Sequence, residues 1–183
     1  MALNPTGRRD DPVLNHNFVV SLLDSSSASS LFGSVSMSAI FDVALGGFSE
    51  CGGLEMSLQV QEFQEGGNNG RLLKFPTRVT WSNITLKKGV SSGTALWDWH
   101  HGFTEGKGKR RDGVIALLND RHLPNNIWYF RRGLPVKYTG PSLNATQSSV
   151  AIESIEIAHE GLSQVSLAGA GVGVASKAVG LVT

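Results

Sequence analysis

The residues of this chain with the best claim to chemistry cluster late in it: Glu153, Glu156, His159 and Glu160. Three carboxylates and an imidazole are the donor set of a metal centre or an acid–base pair. Their spacing speaks against both. On a strand from Val150 to Ala158, Glu153 and His159 share a face but stand ~20 Å apart at ~3.3 Å per residue, and Glu156 points the other way. No single ion bridges that distance, so the group reads as structural. Adjacent His100 and His101 diverge by ~100° on a helix and cannot chelate together. Lys107, Lys109, Arg110 and Arg111 offer cations to a phosphate. They lack interleaved aromatics and run into Asp112, which reads as a solvated loop or a salt-bridging subunit contact. Trp81, Trp97, Trp99 and Trp128 could form a stacking platform for sugars, but read first as core and interface anchors. No nucleophile–base pair is recognisable from spacing. The expectation is therefore no catalytic, metal or cofactor-binding residue, no cofactor and no enzyme.

The elements that would position such groups are mostly strands. Alternation places Phe18, Val20 and Leu22 on one face of a strand over His16–Leu23. Leu54, Met56, Leu58 and Val60 alternate with polar residues up to Phe63. A further strand over Arg78–Lys87 changes parity between Trp81 and Ile84, which predicts a bulge near Ser82 or Asn83. Leu96, Trp99 and Phe103 make one stripe of a helix over Thr94–Phe103, with Ser92 or Thr94 to cap it and Gly102 or Gly106 to end it. Strands follow at Val114–Leu118, Ile127–Arg132, Val136–Tyr138 and Val150–Ala158. Many short strands and one helix predict an antiparallel β-sandwich or barrel.

The chain has 183 residues, 40% apolar and only 17% charged, with a net charge of +1. One domain with a sizeable core fits that length, and the charge gives no field to attract nucleic acid or an anionic membrane. Residues 1–12 read as a flexible arm, 1–162 as the single β domain, and 163–183 as a Gly/Ala/Ser-rich extension. The serine run Ser25–Ser30 reads as a loop, followed by an apolar stretch over Ser34–Leu45. The single Cys51 excludes an intramolecular disulfide framework and a thiolate zinc site. With no apolar leader and no apolar run of ~20 residues, a reducing cytoplasm is expected as the site of folding and assembly.

Four segments in order resemble the tail tube protein family of contractile phage tails and phage-tail-like contractile injection systems. They are Asp11-Pro12 through Phe18-Val19-Val20; the block from Phe48-Ser49-Glu50 through Glu62-Phe63-Gln64-Glu65-Gly66-Gly67-Asn68 to Ile84-Thr85-Leu86-Lys87-Lys88-Gly89; Leu96-Trp97-Asp98-Trp99; and Lys137 to Ala145 followed by Ile152 to Leu162. The resemblance implies a β-sandwich or barrel with one flanking helix, forming hexameric rings that stack into a hollow tube. It implies as partners further copies of the chain, a sheath protein, baseplate and tail-terminator proteins, and cargo or DNA in the lumen, with no direct membrane anchor and no enzymatic activity. The glycine-rich excursion then has an assembly role, with Glu62, Glu65, Gly66, Gly67, Asn68, Arg71 and Lys74 as interface candidates. Two other readings stay open: a tube-initiator or baseplate subunit of the same fold, and a carbohydrate-binding β-sandwich.

Overall fold

The computed structural model describes residues 13–24, 47–64, 66 and 70–166. The expectations for 1–12, Ser25–Ser30, Ser34–Leu45 and the end of the chain beyond Ser166 lie outside the described residues. Within them the fold is mainly β, with antiparallel sheets, as the alternation predicts. In chain order the elements are β1 (Phe18–Asp24), β2 (Glu50–Gly52), β3 (Met56–Gln64), β4 (Leu72–Trp81), β5 (Ile84–Gly89), α1 (Ala95–Thr104), β6 (Arg111–Leu118), β7 (Pro124–Thr139), β8 (Ile152–Ala158) and β9 (Gly161–Ser166).

One strand organises the body. β7 runs for 16 residues, where two shorter strands were expected. Its first half pairs with β6 and β9, its second half with β8, so the order β1-β6-β7-β8-β5-β2 bends at β7 into two half-sheets. The bend is a bulge in which Arg131 and Arg132 oppose the single residue Asp112. Arg132 takes a left-handed φ of 52°. The buried Asp112 carboxylate holds it there, accepting the Arg132 backbone N–H at 2.6 Å and the Tyr129 hydroxyl at 2.8 Å. Burial and that hydrogen bond push the Tyr129 hydroxyl well above its ordinary range. Beside the corner only glycine fits: a Cβ on Gly113 or Gly133 would run into the Phe130 ring.

The half-sheets close on a common core of Val20, Leu22, Ile115 and Phe130 from one and Ile84, Leu86, Ile155 and Ile157 from the other. α1 adds Leu96 and Trp99 to it. Thr94 precedes the helix, but its hydroxyl donates to Asp98 at 2.7 Å instead of capping a backbone N–H. Of the two candidate terminators, Gly106 ends it: at φ 74° it donates to Phe103, while Lys107 N–H reaches the Gly102 carbonyl. At the end of the core row, Lys88 and Glu153 form a buried pair at 3.4 Å, and Tyr138 donates to Glu153 at 2.7 Å. That hydrogen bond pushes the Tyr138 hydroxyl up to about 12.

Three expectations need correction. Arg78–Lys87 is not one bulged strand: β4 ends at Trp81 and β5 starts at Ile84, in different sheets. The break falls where the Gly53 backbone presses on Asn83, since a Cβ on Gly53 would stand 2.0 Å from the Asn83 carbonyl oxygen. β2 and β9 were not anticipated, because short or glycine-opened strands carry little alternation. Finally, Arg111 to Gly113 belong to β6 and not to a loop.

If the corner governs the fold, Asp112→Ala should destabilise the unassembled subunit by about 2–3 kcal/mol, since it removes the buried carboxylate that accepts from both the Arg132 backbone N–H and the Tyr129 hydroxyl. Glu160→Ala removes only the exposed pairs to Arg110 and Arg132 and should cost about 1 kcal/mol or less. Urea unfolding of both variants checks the contrast; equal losses would remove Asp112 from its special place.

Candidate assembly surface

β3 and β4 pair with each other and with nothing else among the described strands. Every residue of β3 is exposed, as are all of β4 but Leu73, Thr80 and Trp81. β3 is amphipathic, as its alternation predicts, and β4 completes a ribbon from Leu72 where a loop was expected, but nothing in the described chain covers its apolar side chains. Met56 is 66% exposed, Leu58 53%, Phe63 53% and Phe75 51%. A monomer rarely leaves so many large apolar side chains together in water without a partner to meet them. The ribbon is held by cross-strand contacts of its own, with Ser57 and Thr80 hydroxyls 2.7 Å apart and Thr77 Oγ1 donating to the Gln59 carbonyl at 3.1 Å.

The interface candidates read from the sequence fall at the outer end. Glu62 and Lys74 are register partners and form an ion pair at 3.5 Å, both largely exposed. Gly66 and Arg71 are exposed beside the turn. Glu65, Gly67 and Asn68 lie outside the described residues. The strands below this charged loop expose the larger apolar side chains.

The ribbon joins the body through a narrow waist. Ser82 donates its backbone N–H to the Glu55 carbonyl and its hydroxyl to the Glu55 carboxylate, both at 3.3 Å. Asn83 Nδ2 donates to Glu156 at 2.8 Å. His159 Nε2 donates to the Ser82 carbonyl at 3.1 Å, and Nδ1 is buried with no hydrogen-bond partner among the described residues. The imidazole lies between Phe130 of the core and Trp81 of the ribbon, each 6.1 Å away by ring centroids. His159 is thus the side chain that ties ribbon to body.

The late carboxylates are dispersed as their spacing implies. Glu153 faces the core, Glu156 meets Asn83 on the other face, and Glu160 binds Arg110 and Arg132 at 2.8 and 2.9 Å. Among the described residues no group of three His, Cys, Asp or Glu could hold a metal ion. His101 stacks on Trp97, which is 48% exposed and meets Tyr138 edge-on. Trp99 is buried, donates to the Lys109 carbonyl at 2.9 Å and carries the Arg111 guanidinium over its ring. Trp128 packs on the core. The tryptophans form no common platform. Among the described residues no helix is long and apolar enough to cross a membrane.

Residues 14–163 match the family model described as T4-like virus tail tube protein gp19. A chain of the six-fold symmetrised anti-feeding prophage baseplate is similar, with a TM-score of 0.72 and 23% identity over 87% of this chain and 99% of that one. A chain of the PVC extracellular contractile injection system sheath–tube complex in the extended state gives 0.68 and 25% identity over 85% and 92%. A chain of the sheath/tube terminator of the same kind of system gives 0.69 and 25% over 86% and 99%. Comparison with curated proteins returns no match.

The waist yields a measurable expectation. His159→Ala removes one hydrogen bond and the ring contacts to Trp81 and Phe130, worth about 1–2 kcal/mol together. Amide exchange should quicken in β3 and β4 while the body keeps its protection, and His159→Gln, which keeps a donor, should restore part of it. Exchange that rises equally throughout the chain would show a core residue and no latch.

Proposed function

This chain belongs to the T4-like virus tail tube protein family and is a structural tube subunit, and from that premise we propose how it assembles. Six copies close into a ring, rings stack into a hollow tube, and the tube runs inside a contractile sheath between a baseplate and a terminator. Assembly takes place in the cytoplasm, and cargo or DNA passes through the lumen. The residues 1–162 act as the assembling domain, with 163–183 as an extension. The observation that carries this reading is the ribbon, an apolar surface built by the fold and left uncovered by it. Further support comes from the sheet edges. β1 pairs only with β6, β9 only with β7 and β2 only with β5 among the described strands, and closure around a ring is one way to satisfy such edges.

Magnitudes decide what holds copies together. Burying a Leu, Met or Phe side chain contributes roughly 1.5–3 kcal/mol. The exposed Glu62–Lys74 pair contributes ~0–1 kcal/mol. The charged loop candidates Glu62, Glu65, Gly66, Gly67, Asn68, Arg71 and Lys74 therefore set register, and the apolar strands supply adhesion.

The channel wall has a natural candidate. On the half-sheet of β7, β8, β5 and β2, the face away from the core carries Thr85, Lys87, Lys137, Thr139, Ser154 and Glu156 by register. All six are at least partly accessible. The corresponding face of the other half-sheet is closed, with Ser21 1% and Ala116 2% exposed. A hydrated wall suits the first face and not the second.

Negative-stain electron microscopy of the purified chain should show rings or hollow tubes; a protein that stays monomeric at high concentration would overturn the assignment. Within tubes, Thr139→Cys should react with a small maleimide but exclude a bulky polyethylene-glycol maleimide, and accept both once the tubes are dissociated. The native Cys51 contributes little background, because burial pushes its thiol up to about 11.

A further inference from the structure

We infer that the β3–β4 ribbon is bivalent: it carries two apolar patches on opposite faces, and each takes a different copy of this chain. The inference rests on the tube reading above. It comes from the cross-strand register. Near the waist, Met56 pairs with Trp81, Leu58 with Val79 and Val60 with Pro76, which puts these apolar side chains on one face. The opposite face there is polar, with Ser57 against Thr80 and Gln59 two residues further along β3. Towards the tip the faces exchange character. Gln61 pairs with Phe75 and Phe63 with Leu73 on the second face, while the first now carries the Glu62–Lys74 ion pair, with Leu72 beyond it opposite Gln64.

Each strand makes this exchange by a different device. β3 holds no extra residue and changes its sequence parity, from Met56, Leu58 and Val60 to Phe63. β4 keeps its parity, from Leu73 and Phe75 to Val79 and Trp81, and changes its register instead. Leu58 pairs with Val79 but Val60 with Pro76, so two residues of one strand span three of the other. The extra residue turns the outer half of β4 over. A ribbon meant for a single flat partner would need neither device. With both, the base patch and the tip patch face opposite ways. Their centres, near Leu58 and Phe63, lie ~17 Å apart at ~3.3 Å per residue.

A subunit in a stacked ring has two kinds of neighbour, one beside it and one in the adjoining ring. Two separate patches of the same apolar chemistry fit two copies of the same chain. None of the side chains involved belongs to the core, so polar substitutions there should leave the body folded.

The test uses the full chain with Leu58→Asp at the base and Phe75→Asp at the tip. Folding is checked by circular dichroism, and the Leu58→Ser and Phe75→Ser variants stand in should either protein unfold. Sedimentation velocity and electron microscopy then give the stage at which assembly stops. The two variants are expected to stop at different stages: one as free subunits, the other as closed rings that do not stack. The blocked step in each should need at least tenfold more protein than in the wild type. Arrest of both at the same stage, as a single copy clamping both faces would give, overturns the inference. So does tube formation by either variant at wild-type concentration. Failure of the wild type to form rings or tubes is a separate result, and it removes the tube reading itself.

Discussion

The structure turns on the corner of β7. A 16-residue strand that serves two half-sheets must bend once, and the bend requires a left-handed Arg132 and two glycines under Phe130. L-residues enter that region at a cost, and here a buried carboxylate offsets it by accepting the backbone N–H of the bent residue. The rest follows from where the corner sends the chain. The first half of β7 lies between β6 and β9, and the second half starts the row of β8, β5 and β2. Both rows meet over one core, and the row ending in β5 and β2 leads to the ribbon. A flat β7 would leave one sheet with a bare face and no defined exit for β3 and β4.

The body and the ribbon use the same amphipathic pattern for different ends. In the body, alternation delivers Ile84 and Leu86, Ile155 and Ile157 to complete burial. In the ribbon an equally regular alternation delivers Leu58 and Val60 to water. Nothing in the two stretches themselves distinguishes these outcomes, because a strand pattern states which residues share a face and not what will cover it. The distinction arises at the waist, where Gly53 and Asn83 approach too closely for a side chain and the two strands leave the body together. His159 then fixes the ribbon against Phe130, so its faces are presented at a set angle.

That explains how far the sequence could be read. Most strand positions and the helix with its stripe of Leu96 and Trp99 were legible, since each depends on local period alone. The four-segment resemblance was legible too, and the family match over residues 14–163 agrees with it. The split of Arg78–Lys87 into two sheets was not, because a parity change is the same signal for a bulge and for a break. Nor was the continuity of β7, since Gly133 and Pro135 look like punctuation until Asp112 is seen bracing the turn. The burial of Lys88 and Glu153 against each other shows only in the cross-strand register. For the candidate surface, the alternation of Leu54, Met56, Leu58 and Val60 shows a shared face, and only the fold shows that face uncovered among the described residues.

An exposed apolar ribbon is a hazard for a free subunit, and this chain has little charge to counter it, with a net charge of +1. The geometry limits the hazard in two ways. Dividing the apolar residues between opposite faces keeps either patch smaller than the sum, and an isolated encounter buries only one of them. The ion pair of Glu62 and Lys74 interrupts the first face beyond Val60, so a partner sliding along the ribbon would have to desolvate two charges. Weak single contacts with a defined register favour arrangements in which several are made at once, as in a closed ring or a stack. The same economy argues against strengthening the patches. A ribbon apolar on one face throughout would bind more tightly at first contact, but it would no longer tell one neighbour from another.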